Sequence, residues 1–253
     1  SGSKLVMDTD YTVSYEDNTV TGTGIVTITG IGNFIGNATA NFTINKANAN
    51  IMVDTASYTK TFGDDDFNLG ITDSNPETDV VYSSSDEDVV TVSGDGTVSV
   101  KNTGTATITL TLPESDNYNE ASSKEIEVTV NKAVAPTLAD GNKTYIYAES
   151  KKNESVEITG IPEDCGAVSY SIGSVTDEEN MLENVSVDAD GKVTYDVIAL
   201  DAYEEGVNAT ITVNVEMENY ETANYELAIG RTDKLVQDIS AENISLTYGD
   251  EGD

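Results

Sequence analysis

The sequence predicts an all-β protein: immunoglobulin-sized, two-layer β-sandwich modules strung in an extended array. Three observations lead there. Apolar and polar residues alternate in many short runs, the period-two signature of strands that bury one face. One pattern, a strand, an Asn–aromatic pair and a second strand, occurs three times at roughly the spacing of whole domains. Nothing supports a long helix, and only Asp177 to Asn184 is expected to form a single helical turn within a loop. At roughly 100 residues per sandwich, the 253 residues make about two and a half modules.

The first copy of the pattern runs from Ile25 to Gly30, through Asn33-Phe34, to Asn41-Phe-Thr-Ile-Asn-Lys-Ala47. It is assigned to residues 1–46, a partial module expected to lack its opening strands. The second runs from Ala106 to Leu112, through Asn117-Tyr118, to Glu125-Ile-Glu-Val-Thr-Val-Asn-Lys-Ala133, and closes a module over 47–132. The third runs from Ala209 to Val215, through Asn219-Tyr220, to Tyr225–Arg231, and closes a module over 133–232. Val92-Ser-Gly-Asp-Gly-Thr-Val98 and Val187-Asp-Ala-Asp-Gly-Lys-Val193 each set Asp-Gly between alternating runs, which predicts a hairpin because Gly accepts positive φ there. Thr61-Phe-Gly-Asp64 returns as Thr247-Tyr-Gly-Asp250, so residues 233–253 read as the first strand of a following module.

Alternation also names the inward faces. Val26, Ile28, Phe42 and Ile44 are expected inside the first module. Val98, Val100, Ile108, Leu110, Ile126, Val128 and Val130 are expected inside the second. In the third the set is Tyr170, Ile172, Val193, Tyr195, Ile211, Val213, Val215, Leu227 and Ile229. Each such side chain contributes about 1.5 to 3 kcal/mol on burial. Conformational entropy offsets most of the sum, so each module is expected just to manage to fold alone.

Charge and composition narrow the chemistry. Forty-six acidic residues face 12 basic ones, a net charge of −34, and Arg231 is the one arginine. Nucleic acid and anionic membrane surfaces are poor partners for such a chain. There is no histidine, no tryptophan and one cysteine, Cys165. That excludes His-based triads, four-cysteine zinc sites and an intrachain disulfide. Acidity with only 38% hydrophobic residues invites a reading as disorder, but the alternation argues against it. No run approaches the roughly 20 apolar residues of a membrane-spanning helix.

Candidate sites are few. Asp64-Asp-Asp66, Asp86-Glu-Asp88 and Asp188-Ala-Asp-Gly191 offer hard oxygen ligands of the kind calcium takes, set against diffuse cation condensation. Asp188 onward lacks the distal Glu of an EF-hand loop, and its Asp-Gly already serves a turn. The Asn–aromatic pairs fit structural corners better than glycan platforms. Cys165 reads as an unpaired loop thiol with no cation nearby in sequence to activate it. Lys46 and Lys132, at strand ends, invite comparison with Lys-to-Asn cross-links, although a lysine at a strand end is ordinarily just solvated. No catalytic, cofactor-binding or metal-ligating residue is singled out, and the chain is expected not to be an enzyme.

Tyr82-Ser-Ser-Ser-Asp-Glu-Asp-Val-Val-Thr-Val92, the following Gly-Asp-Gly hairpin and Gly104-Thr-Ala-Thr-Ile-Thr109 together resemble the bacterial immunoglobulin-like domains of group 2 type. Asp10-Tyr-Thr-Val-Ser-Tyr15, with Gly22-Thr-Gly24 and Thr27 to Phe34, is similar to tandem repeats of Firmicute cell-surface proteins. The third module matches mainly through its last three strands and departs before them. The resemblance implies a non-catalytic spacer segment of an extracellular, cell-surface or secreted, adhesin-like protein. Two alternatives remain: a module that binds a host glycoprotein or polysaccharide through loops between Asn153 and Asn184, and an accessory region of a multidomain extracellular enzyme. The orphan strand Asn243 to Tyr248 is further expected to pair with the partial first module of a neighbouring chain.

Overall fold

The computed structural model describes residues 4–201 and 207–232. The expected strand at Asn243 to Tyr248 lies outside the described residues. By internal contacts the chain divides into two compact units, Ser1–Ala133 and Val134–Asp253. Every regular element among the described residues is a β-strand.

The chain opens with strands β1 (Tyr11–Glu16), β2 (Gly22–Gly30) and β3 (Asn37–Ile44), an antiparallel sheet in that order. Directly opposed residues share a face, and the register gathers Val13, Tyr15, Val26, Ile28, Phe42 and Ile44 on one side. These are the positions alternation assigned to a core, and here that expectation is corrected. Val26, Phe42 and Ile44 are only half-buried, Ile28 is 43% exposed and Tyr15 58% exposed. The reason is the absence of a second layer: among the described residues this sheet has no facing partner, and the first buried hydrophobic side chain of the core is Ile51. Tyr15 and Phe42 meet edge to face at 6.3 Å, the main aromatic contact on the open side. Among the described residues the first module encloses no core of its own.

The second module follows without a free linker. It comprises β4 (Ala47–Asn48), β5 (Ile51–Met52), β6 (Ser57–Thr61), β7 (Phe67–Asn68), β8 (Thr72–Asp73), β9 (Val81–Ser84) and β10 (Val90–Val92). β11 (Thr97–Val100), β12 (Gly104–Thr111), β13 (Tyr118–Asn119) and β14 (Lys124–Asn131) complete it. One sheet runs β6-β14-β12-β9 and the other β10-β11-β7, while β5 pairs with β8. Val90 and Val98 of the second sheet pack against Ile108, Leu110, Ile126 and Val128 of the first, all fully buried. Val100 is half-buried at the margin.

The third module has β15 (Gly141–Ile146), β16 (Lys151–Glu157), β17 (Val168–Asp177), β18 (Leu182–Val187), β19 (Lys192–Val197), β20 (Asn208–Met217) and β21 (Ala223–Thr232). Its sheets run β15-β21-β20-β17 and β16-β19-β18. Strand for strand this is the order of the second module: β6 answers to β15, β14 to β21, β12 to β20 and β9 to β17. The departure in sequence before the last three strands thus lies in loop and strand lengths and leaves the connectivity intact. Val193, Tyr195, Ile211, Val213, Val215, Leu227 and Ile229 are fully buried, while Tyr170 and Ile172 are half-buried against the same core.

Both predicted hairpins form. Val92 opposes Val98 across β10–β11, and Val187 opposes Val193 across β18–β19. Gly96 and Gly191 both sit at φ 78°, where a Cβ would meet the ring of Tyr82 or Tyr170, so each turn needs glycine for conformation and for space. The helical turn expected at Asp177 to Asn184 does not exist. That stretch joins β17 to β18, and the Asp177 carboxylate accepts the Met181 and Leu182 backbone N–H groups, satisfying donors a helix would have used.

Candidate functional site

A polar constellation in the first unit lies where the β1–β3 sheet passes into the second module. Asn117, from the second Asn–aromatic pair, accepts the Thr21 backbone N–H on Oδ1 at 2.8 Å, and its own carbonyl accepts the Ala47 N–H at 2.9 Å. The Thr21 hydroxyl donates to the Asp116 carbonyl at 2.7 Å. Lys46 reaches across to the Glu114 carboxylate at 3.1 Å and the Ser115 carbonyl at 2.7 Å. β13 then lies parallel to β4, with Tyr118 opposite Ala47 and Asn119 opposite Asn48.

Glu77 underpins this joint. Its carboxylate accepts the Asn117 side-chain amide at 2.6 Å, the Ser115 hydroxyl at 2.7 Å and the Asn117 backbone N–H at 3.0 Å. Those bonds, the Asn117 amide first, hold the Glu77 carboxyl below the usual carboxylate range, and the charge of Lys46 adds to the effect. Buried Asn75 accepts the Glu77 N–H at 3.0 Å and donates to the Pro113 carbonyl, fixing the loop that presents Glu77. Asn75 and Glu77 escaped the sequence reading. The signal that could have found them is the Asp73-Ser-Asn-Pro-Glu77 turn, whose Asp73 and Asn75 side chains each cap a backbone N–H two residues on.

The third Asn–aromatic pair makes a corner of the same kind inside its own module. Asn219, 1% exposed, donates to the Asp164 carbonyl at 3.0 Å, and the Tyr220 hydroxyl donates to the Asp164 carboxylate at 3.0 Å. Cys165 lies in that loop as a free thiol, buried against the third core, which makes it a packing residue as well as an unpaired one. The first pair departs from the pattern: Phe34 is 42% exposed and lines an open apolar groove of about 450 Å³ with Leu5, Tyr11, Ile28 and Ile35.

The three module-closing cations behave differently. Lys46 is committed to the joint through the Glu114 carboxylate and the Ser115 carbonyl. Lys132 stands exposed just beyond β14. Arg231 turns into its own module, donating from Nη1 to the Ile146 and Glu149 carbonyls at 3.0 and 3.2 Å, and from Nη2 to the Ile198 carbonyl. Burial pushes its pKa down, opposed by the charges of Asp177 and Glu149. Nearby, the buried Tyr145 and Tyr195 hydroxyls meet at 2.9 Å, and Tyr145 donates to Glu154 at 2.9 Å. Desolvation, with the bonds to Tyr195 and Glu154, raises the Tyr145 pKa well above the phenol range.

The acidic triplets proposed for calcium are used locally. Asp64 accepts the Thr61 N–H, Asp86 accepts the Asp88 N–H, and Asp188 accepts the Asp190 and Lys192 N–H groups. Among the described residues, no three acidic or thiol groups converge as a metal site. No helix there is long and apolar enough to cross a membrane.

Against known proteins, residues 66–121 match the bacterial Ig-like domain (group 2), a span inside the second module. No curated protein sequence matches the chain. Solved structures similar to it include the extracellular domain of protocadherin gammaB4 (TM-score 0.31, 13% identity, 85% of this chain and 40% of that one). Drosophila N-cadherin EC1-3 gives a TM-score of 0.29 at 12% identity, covering 86% of this chain and 78% of that one. Human protocadherin-24 EC1-2 gives 0.29 at 16% identity, covering 74% and 98%. This chain thus spans well under half of that protocadherin gammaB4 chain. Scores this low carry no weight, and the sandwich fold rests on the strand topology itself.

Proposed function

We propose that the chain is a non-catalytic structural segment of an extracellular bacterial protein, whose modules hold other parts of that protein at a set separation. The observation that supports this best is the joint. β3 enters the second module at Lys46 and Ala47, and both residues are bonded to the 114–117 loop of that module, so the connection has no slack. The group 2 Ig-like match at residues 66–121 supports the bacterial setting. Use of the acidic side chains as turn caps leaves them a structural role without any reaction. Like charges repelling within a Debye length of about 8 Å further favour extended modules over collapsed ones.

Two measurements test the reading. Spin labels at Thr39→Cys and Lys124→Cys, with Cys165 replaced by Ala, should give one narrow distance distribution across the joint; a broad one, as from a free linker, overturns it. Three modules in line, each about 33 Å along a ten-residue strand, should give small-angle scattering with a maximum dimension on the order of 100 Å. A compact, near-spherical particle overturns the spacer.

A further inference from the structure

The joint holds a groove as well as bonds. Within the first unit the β1–β2 turn, the end of β3, the Pro76-Glu77 turn and the start of β13 line an open groove of about 350 Å³. Val20, Ile44, Pro76 and Tyr118 give it apolar walls, and Glu77 is the one acidic or basic side chain among the described residues that line it. Apolar walls around a single charge, at a junction between modules, are the usual make-up of a binding pocket.

The Glu77 carboxylate is only partly used. A carboxylate offers about four acceptor positions, two on each oxygen. Oε2 accepts the Ser115 hydroxyl and the Asn117 backbone N–H, which fills it, while Oε1 accepts the Asn117 side-chain amide alone. One position on Oε1 is left. The same bonds keep the group ionised to lower pH than a free carboxylate, so the open position carries charge. Lys46 does not fill it, because its ammonium is bonded to Glu114 and Ser115.

We propose that this groove takes a lysine side chain presented by a cationic partner polypeptide, with its methylene stem along Val20, Ile44 and Tyr118 and its ammonium on Glu77 Oε1. Charge selects the sign of the partner, since a chain of net charge −34 repels anionic surfaces and draws cationic ones. The single free acceptor selects lysine over arginine. A guanidinium pairs best with both oxygens of a carboxylate at once, whereas an ammonium is a point charge that one oxygen can hold. The apolar walls suit the stem, which long basic side chains lay along apolar surface while the charged head finds a polar partner. A hard divalent cation would need several oxygen ligands, and no three acidic groups converge here among the described residues. This role is separate from that of a spacer, whose scattering and spin-label tests need no partner.

The test is an amide NMR titration of the full chain at 0.15 M salt, where screening confines long-range attraction to about 8 Å. The probe is a capped five-residue peptide, Gly-Ser-Lys-Ser-Gly, run beside versions with norleucine or arginine in place of the lysine. The lysine peptide should shift the Thr21, Ala47, Asn117 and Tyr118 amides saturably, with a dissociation constant on the order of 1 mM. Norleucine, which keeps the stem and lacks the charge, should bind about tenfold more weakly, and arginine about threefold. Glu77→Gln should also weaken the lysine peptide about tenfold. Because Glu77 also holds the joint, Val20→Lys supplies the second variant: Val20 is 52% exposed, and an ammonium placed there should compete with the peptide's and abolish the shifts while the spin-label distance stays narrow. An absent or unsaturable response at the four amides overturns the proposal. So do equal affinities for the three peptides, a response untouched by Val20→Lys, or shifts of the same size at the acidic turns of Asp64 to Asp66 and Asp86 to Asp88, which would mark diffuse attraction of cations.

Discussion

The sheet β1–β3 and the sheet portion β9–β12–β14 share pairing, register and alternation, yet only the second encloses a core. Ile108, Leu110 and Ile126 are fully buried because β10 and β11 cover them; Val26, Ile28 and Ala40, at the matching positions, stay half-covered or exposed. Period-two alternation therefore specifies a face, and a core appears only where another layer meets it.

Cavity formation offers the sharpest way to break this comparison. Ile108→Ala should cost about 2 to 5 kcal/mol in denaturant unfolding, as for other fully buried aliphatics, while Val26→Ala should cost about 1 kcal/mol or less. Equal losses would mean that the first sheet has a covering layer after all. The glycines opening β2 and β12 give a second, smaller contrast. Gly104 sits at φ 146°, and a Cβ there would come within 2.7 Å of Val89 Cγ2; Gly22 sits at φ 132° with nothing within 4 Å. Gly104→Ala should combine backbone strain with overpacking, about 2 to 3 kcal/mol, against about 1 kcal/mol of strain alone for Gly22→Ala, read from thermal unfolding.

The joint comes next. Asn117→Ala removes the acceptor of the Thr21 N–H and a donor to Glu77, and should broaden the spin-label distance across the joint while shifting the second module's Tm by only a few degrees. Acid should have the smallest effect. The folded-state pKa of Glu77 is depressed, so its contribution is complete above its ordinary pKa near 4.3 and is lost as pH falls through the lower, folded value. Amide exchange at Thr21 and Ala47, corrected for the intrinsic pH dependence, should accelerate below about pH 4 while the core amides of β12 hold.

The strands and both Asp-Gly hairpins were legible from period two and from glycine's tolerance of positive φ, since both are local properties. The core of the second and third modules followed from the same alternation. What was not legible depended on contacts between residues far apart in the chain. Nothing in Val26 or Ile28 reveals that, among the described residues, no layer lies above them. Glu77 gains its role from Ser115 and Asn117, and Asn75 from Pro113, through loops that meet only in the fold. The Asn–aromatic pairs were read correctly as corners at Asn117 and Asn219, but the joint that Asn117 also makes with Thr21 needed the geometry. Asp177 shows local preference being overruled: its carboxylate caps the turn that carries the chain from β17 in one sheet to β18 in the other, where a helical turn was expected.

The placement of β6 beside β14 has a mechanical side. β6 lies near the start of the second module, β14 closes it, and the two run in the same direction, so tension along the chain drags them past each other lengthwise. The five-residue ladder from Ser57 to Thr61 is then loaded all at once instead of peeling bond by bond, and the six-residue ladder of β15 on β21 is loaded likewise. Resistance of this sort is a matter of unfolding rate rather than of equilibrium stability. β3 has no such brace among the described residues, so a stretched chain should yield first at its opening sheet, with both sandwiches still intact.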